Sequence, residues 1–247
     1  MKPTRQALVA VLALALFAGV AGAADWSSTN VQVLYGDGFK VTPPETRTII
    51  TIEHASGWTY GDNFFFFDIT EPFANDTMVY GEWHPRFSFN KIFGREMGSG
   101  FFKDVLLATE LNVDAGWRAY LYGVGFDFNI PHFQFFALNF FIRDDMTIPD
   151  DSTYQISPSW NLPFKLGETS WEFRGFLDYS GPEGKNALGE DMKAQLLTQP
   201  QLLVNLGSVF KNPGSLWFGV EYQYWMNKYG IDGVDENFVQ VMGRWDF

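Results

Sequence analysis

Hydrophobic and polar residues alternate along this chain in runs of about ten, each closed by Gly, Asn, Asp or Pro. Counting back from Phe247, one face carries Phe247, Trp245, Gly243, Val241 and Val239, and the other Asp246, Arg244, Met242 and Gln240. Upstream, Leu216, Phe218, Val220, Tyr222, Tyr224 and Met226 alternate with Trp217, Gly219, Glu221, Gln223, Trp225 and Asn227. About twelve such segments follow one another, near 26–36, 46–56, 58–69, 77–90, 103–114, 117–128, 133–144, 152–161, 168–179, 195–206, 216–228 and 236–247. Period-two alternation marks a strand with one wet and one dry face, and ~10–11 residues is the length of a tilted strand that crosses a bilayer. The expected fold is all-β, a transmembrane antiparallel barrel of about twelve strands. An even count puts both termini on the periplasmic side and the loops after odd strands outside. Ser180 to Ala194, rich in Gly, Glu, Asp and Lys, fits an outer loop. Asn129-Ile130-Pro131-His132 is a short inner turn, whereas Lys91 to Gly100 is long for one.

The first residues break this rhythm. Lys2 and Arg5 precede an uncharged apolar run from Ala7 to Val20, and Ala21-Gly22-Ala23 supplies the small residues of a signal-peptidase site. The run is shorter than the ~20 residues of a spanning helix, so 1–23 is expected to be a cleaved signal peptide and 24–247 a single barrel domain. Cleavage removes Lys2 and Arg5 and moves the net charge from −12 to −14. Such acidity argues against a nucleic-acid partner, since no basic patch is left to neutralise phosphates. There is no cysteine, so disulfides do not hold the fold.

Alternation alone does not say which face is inside. A soluble lipocalin-like barrel shows the same period with its apolar face inward. Three features favour the membrane. Twelve strands enclose more space than apolar side chains fill. Trp83, Trp160, Trp171 and Trp245 fall on the proposed outer faces, near strand ends, as interfacial aromatics do. The last strand finishes on Phe247, a terminal aromatic of the kind read by the barrel-insertion machinery. Aromatics make up 18% of the chain at a mean hydropathy of only −0.10, which suits alternating lipid-facing and lumen-facing positions. The expected site is the bacterial outer membrane, as a multi-pass barrel and a monomer bedded in lipid and lipopolysaccharide.

The wet face carries mixed charge. Glu53, Glu82, Glu110, Asp127, Glu172, Asp178 and Glu221 should point into the lumen with Arg86, Arg143, Arg174 and Arg244. A dry core would not tolerate so many charges, whereas a watery lumen lets them pair or stay hydrated. They either cross-link the wall or meet a solute. Phe64-Phe65-Phe66-Phe67 must place two rings inward in either register, beside Trp58 and Tyr60. Rings in a polar pore can stack a flat heterocycle or simply pack against a neighbour. His54, His84 and His132 lie on separate segments and suggest neither a metal nor a nucleophile partner. No phosphate-binding loop or catalytic dyad emerges, so the reading is a non-enzyme without cofactor or metal.

At this point the residues resemble a known family, the Tsx-like nucleoside-specific channels. The likeness rests on Glu82-Trp83-His84-Pro85-Arg86-Phe87-Ser88-Phe89-Asn90-Lys91, with Phe102-Lys103-Asp104 and Tyr122-Gly123-Val124-Gly125-Phe126-Asp127. Trp58-Thr59-Tyr60-Gly61-Asp62, Asn139 and Arg143 also match. The resemblance is clearest over 46–144 and in the final strand. It implies a twelve-stranded monomer through which nucleosides cross passively between weak aromatic and ionisable sites. Carried over, it points to Glu82, Arg86, Asp127, Phe64 and Phe66, and His84 stands where the family has an acid. The substrate-contacting set expected from wet face and resemblance together is Trp58, Tyr60, Phe64, Phe66, Glu82, Arg86, Asp127, Glu172, Arg174 and Glu221. The expected function is passive, selective diffusion of nucleosides or other small polar solutes. Two other classes remain: a structural or receptor barrel with a plugged lumen, and an outer-membrane hydrolase.

Overall fold

The computed structural model describes residues 24–95, 98, 100–148, 152–186, 189–210 and 214–247, so the segment read as a signal peptide lies outside the described residues. Thirteen strands follow in order: β1 (Trp26–Asp37), β2 (Thr46–Trp58), β3 (Gly61–Thr70), β4 (Met78–Ser88), β5 (Phe102–Val113), β6 (Arg118–Phe128), β7 (Phe135–Asp145), β8 (Ser152–Leu166), β9 (Thr169–Ser180), β10 (Gln195–Thr198), β11 (Gln201–Asn205), β12 (Leu216–Met226) and β13 (Glu236–Asp246). All neighbours are antiparallel, and β13 pairs with both β12 and β1, so the sheet closes on itself. β10 and β11 both pair with β9 and β12, making them two halves of one stave. The barrel therefore has twelve staves, and closure leaves no open edge.

The break in that stave has a local cause. Pro200 has no N–H to give the ladder. Opposite it, Gly175 is so close that an added Cβ would lie 2.8 Å from the Gln199 carbonyl oxygen and from the Pro200 Cα. Pro85, inside β4, is handled differently. The ladder to β5 lapses there between Trp83 and Arg86, and the Thr109 hydroxyl donates to the Pro85 carbonyl instead, at 2.8 Å.

The even stave count sends both termini to one end of the barrel, the periplasmic end. The segment 89–101 between β4 and β5, long for an inner turn, holds a short helix, Phe89–Phe93. The Ser88 hydroxyl accepts from the Lys91 N–H at its start, and Gly94 closes it at φ 60°.

Cross-strand partners point to the same side, so the register assigns every face. Outward stand Val33, Tyr35, Leu107, Tyr120, Tyr122, Val124, Phe140, Ile142, Phe218, Val220, Val239 and Val241, all apolar or aromatic and all exposed. The buried set is polar instead: Gln32, Glu110, Asn112, Gln155, Glu221, Gln240 and Arg244 are each no more than 8% exposed. A soluble barrel has the opposite arrangement. The exterior is a membrane-facing band. Trp171 and Trp245 fall on it near strand ends as expected, whereas Trp83 and Trp160 face the same way but sit at the centres of β4 and β8 and are not part of an end girdle.

Gly123 shows how tightly the wall is drawn. A Cβ there would lie 1.9 Å from the backbone oxygen of Phe140 on β7. Gly123→Ala is therefore expected to cut the yield of folded barrel severalfold. The measurement is the fraction of protein that migrates faster before boiling than after. A wild-type yield would mean that β6 and β7 can separate without loss.

Candidate functional site

The lumen is lined by matched positions. From β2 round to β5, Glu53 stands beside Phe66, Phe66 beside Glu82, and Glu82 beside Asn112. One step toward the periplasm, Ala55, Phe64 and His84 follow one another, and a step further Gly57, Asp62, Arg86 and Ala108. Each of these is an every-second-residue position of its strand, which is why the sequence alternation reported them.

Arg86 is held by two carboxylates. Its Nε and Nη2 donate to Asp62 on β3 at 2.8 and 2.9 Å, and Nη1 donates to Asp127 on β6 at 2.8 Å. To reach Asp127 the guanidinium must pass over β5, and the cross-strand residues there are Ala108 and Gly123. Their small size leaves the room. This fork-to-carboxylate geometry fixes Arg86 as a clamp of the wall.

A second pair crosses the lumen. Arg174 on β9 donates from Nη2 to both Glu53 oxygens, at 2.7 and 2.8 Å. Between β9 and β2 lie four staves one way and six the other, so these residues come from opposing walls. Glu53 also accepts from Asn30 at 2.8 Å and from Gln32 at 3.3 Å. Nearby, Arg244 pairs with Glu172 at 2.5 Å and with Asp246 at 2.9 Å, its guanidinium 4.9 Å from the Trp217 ring centre. Glu221 accepts from Gln201 at 2.8 Å and from Gln240 at 2.9 Å. On this side the interior also holds a buried apolar cluster of Leu34, Leu203 and Met242.

The opposite side carries an aromatic series. Phe64 and Phe66 have ring centres 6.1 Å apart, Phe66 lies 6.0 Å from Tyr80, and Tyr80 stacks on Trp117 at 6.4 Å. All four rings are partly exposed. Tyr80 donates to Glu82 at 2.5 Å, and the His84 ring meets Phe64 edge-on. His84 itself sits between two carboxylates, Nε2 2.7 Å from Glu82 and Nδ1 3.4 Å from Glu110. Glu82 and His84 on β4 and Glu110 on β5 thus form a grouping that the sequence did not suggest, with one potential ligand atom of each within 4.8 Å of the others.

Loops fold into the outer mouth. Glu183, in the connection after β9, is buried and pairs with Arg143 at 3.4 Å, while Arg143 lies over Trp117. Burial pushes the Glu183 carboxyl up from its ordinary range, and the Arg143 charge opposes that. Lys228, in the connection after β12, is buried against Trp225 and Tyr229 and bonds Glu236 at 2.6 Å. Burial draws its ammonium down, with Glu236 acting the other way.

Of the residues expected to contact a solute, the register brings Phe64, Phe66, Glu82 and Arg86 together on β3 and β4, with Asp127 tied in through Arg86. Glu172, Arg174 and Glu221 face the lumen from the far wall. Trp58 and Tyr60 do not belong. Gly57 is the inward position at the end of β2, so Trp58 points outward, where its ring meets Phe87 at 5.7 Å and Tyr60 at 5.5 Å. Both residues sit at the periplasmic rim, because β2 runs on to Trp58 and the turn occupies 59–60. Four lumen residues stood outside the expected contact set: Tyr80, two positions before Glu82 and so readable from parity; His84, in the same register and named only as standing where the family has an acid; Asp62, named only within the matching motif; and Trp117, in a turn where parity gives no signal.

No family model matches the chain, and no curated protein matches it. Among solved structures, one titled "KdgM porin" is similar at a TM-score of 0.51 and 10% identity, covering 89% of this chain and 99% of that chain. Another, titled "KdgM porin in complex with disordered oligogalacturonate", gives 0.49 and 11%, with the same coverage. At such identity the first likeness concerns the fold alone. With the apolar exterior and polar interior, it makes this chain a bacterial outer-membrane β-barrel of twelve antiparallel staves.

Proposed function

We propose that the barrel is a channel for passive, selective diffusion of nucleosides or similar small polar solutes, performing no chemistry of its own. The observation that carries this reading is the aromatic series Trp117, Tyr80, Phe66 and Phe64 along one lumen wall, bordered by Glu82, Glu53 and the Arg86 clamp. A flat base can move from ring to ring while its sugar and edge groups exchange hydrogen bonds with the carboxylates. Each site must be weak, since a tightly held solute does not leave a pore. The resemblance to the Tsx-like channels, carried by the β4 motif at 82–91, supports the same cargo. In planar bilayers the purified protein is expected to show a small conductance partly blocked by adenosine or thymidine. Phe64→Ala/Phe66→Ala should weaken that block about tenfold or more, since stacking contributes about 1–3 kcal/mol per base. Conductance indifferent to every nucleoside would remove the cargo and leave the barrel.

One observation favours a second reading, a plugged structural or receptor barrel. Arg174 and Glu53 tie opposing walls, and the Leu34, Leu203 and Met242 cluster fills interior space beside them. Absence of any ion conductance would support it.

A further inference from the structure

Beyond solute passage, we propose that Glu82, His84 and Glu110 form a binding site for a divalent first-row transition metal of the zinc class within the lumen. Glu82 and His84 are second neighbours on β4 and so share the inward face, and Glu110 faces them from β5. One imidazole nitrogen and one oxygen from each carboxylate lie within 4.8 Å of one another. Ligands around a tetrahedral zinc ion stand about 3.4 Å apart, so rotation of the two glutamate side chains brings them into range. An imidazole with two carboxylates suits zinc or manganese better than calcium or magnesium, which take oxygen ligands throughout.

The surroundings fit a cation with a fixed first set of ligands. Tyr80 donates to the Glu82 oxygen that does not face His84, and the amide of Asn112 bonds Glu110, so both carboxylates are oriented from outside. Asn112 stands opposite Glu82 in the ladder and is only 3% exposed, yet its Oδ1 has no hydrogen-bond partner among the described residues. That buried acceptor, on the side chain whose N–H bonds Glu110, supplies the proposal's fourth donor. Asp178 adds a further negative charge from β9, across the lumen. Arg143 also acts on Glu110, but its hydrogen bonds go to Glu183 and Gln155. A single imidazolium would face three carboxylates, whereas a divalent ion on a neutral imidazole neutralises more of that charge.

The test is zinc titration of the purified, chelator-washed barrel by calorimetry, repeated with manganese and with calcium. Wild type is expected to bind one zinc ion per barrel, manganese less tightly and calcium least. His84→Ala and Glu110→Gln should each weaken zinc binding by about a hundredfold or more, given that loss of an outer-sphere partner alone costs about 10–100-fold. Asp104→Asn, which removes the carboxylate opposite Asp127 on the inward face of β5 and outside the cluster, should leave the affinity unchanged. Lack of zinc binding by wild type, or equal loss in all three variants, overturns the proposal. If the ligand variants fail to fold, the zinc absorption edge of the wild-type complex decides: a nitrogen and oxygen shell with one imidazole supports the site, and a shell of oxygen alone rejects it. No nucleoside enters these measurements, so this result and the nucleoside block fail or stand separately.

Discussion

Arg174→Ala is expected to raise single-channel conductance severalfold and to shift selectivity toward cations. The wild-type side chain reaches from β9 to Glu53 on β2, so its head group occupies the space a solute would cross. Truncation removes both the obstacle and a positive charge, leaving Glu53 held by Asn30 and Gln32 in a more acidic lumen. Glu53→Gln separates the two effects. It breaks the same bridge but leaves Arg174 free and positive, so conductance should rise while selectivity moves toward anions. Arg174→Lys keeps the charge and loses the planar fork that grips both oxygens, and should fall between wild type and Arg174→Ala. The backbone ladders that hold the staves are untouched by any of these changes. Reversal potentials in a salt gradient read the selectivity, and single-channel steps read the size. Unchanged conductance in all three variants would show that the bridge lies outside the path.

What the sequence revealed about this site divides by range. The faces were legible because a strand's period is two: once Glu82 is inward, so are Arg86, His84 and Tyr80, and in the adjoining strands the same rule placed Phe64, Phe66, Glu110 and Asp127. The stave count followed from turn residues, and it survived even the interruption at Pro200, because both halves keep the same partners. Boundaries were harder. Trp58, Thr59 and Tyr60 are all good strand formers, so nothing local announced a two-residue turn at 59–60, and a boundary misplaced there put two outward aromatics in the lumen. Contacts across the lumen were not legible at all. Arg174 with Glu53, Arg143 with Glu183 and Tyr80 with Trp117 depend on how the closed sheet is sheared and where loops fold back, which no local pattern encodes. The metal cluster was hidden by something nearer: parity placed its three residues inward, but the β4–β5 register that sets Glu110 beside His84 is written in neither strand alone.

The second large effect tests the outer face. Val124 lies mid-strand on β6, 42% exposed, between Leu107 on β5 and Phe140 on β7, which are also exposed. If lipid covers this belt, Val124→Arg places a cation near the bilayer midplane, at a cost of about 2–4 kcal/mol. That corresponds to a loss of about thirtyfold to several hundredfold in the folding equilibrium. Tyr120, on the same face of β6 but near its outer end, should tolerate arginine far better, at about 0–1 kcal/mol, because the charge there reaches headgroups and water. Reversible denaturant titration of the barrel in lipid vesicles measures both. The gradient matters more than either value. A barrel with water outside would accept arginine at both positions with little difference, since an exposed valine on a soluble surface contributes almost nothing. Equal costs at Val124 and Tyr120 would therefore reverse the assignment of inside and outside, and with it the polar lumen on which the channel and the metal site depend.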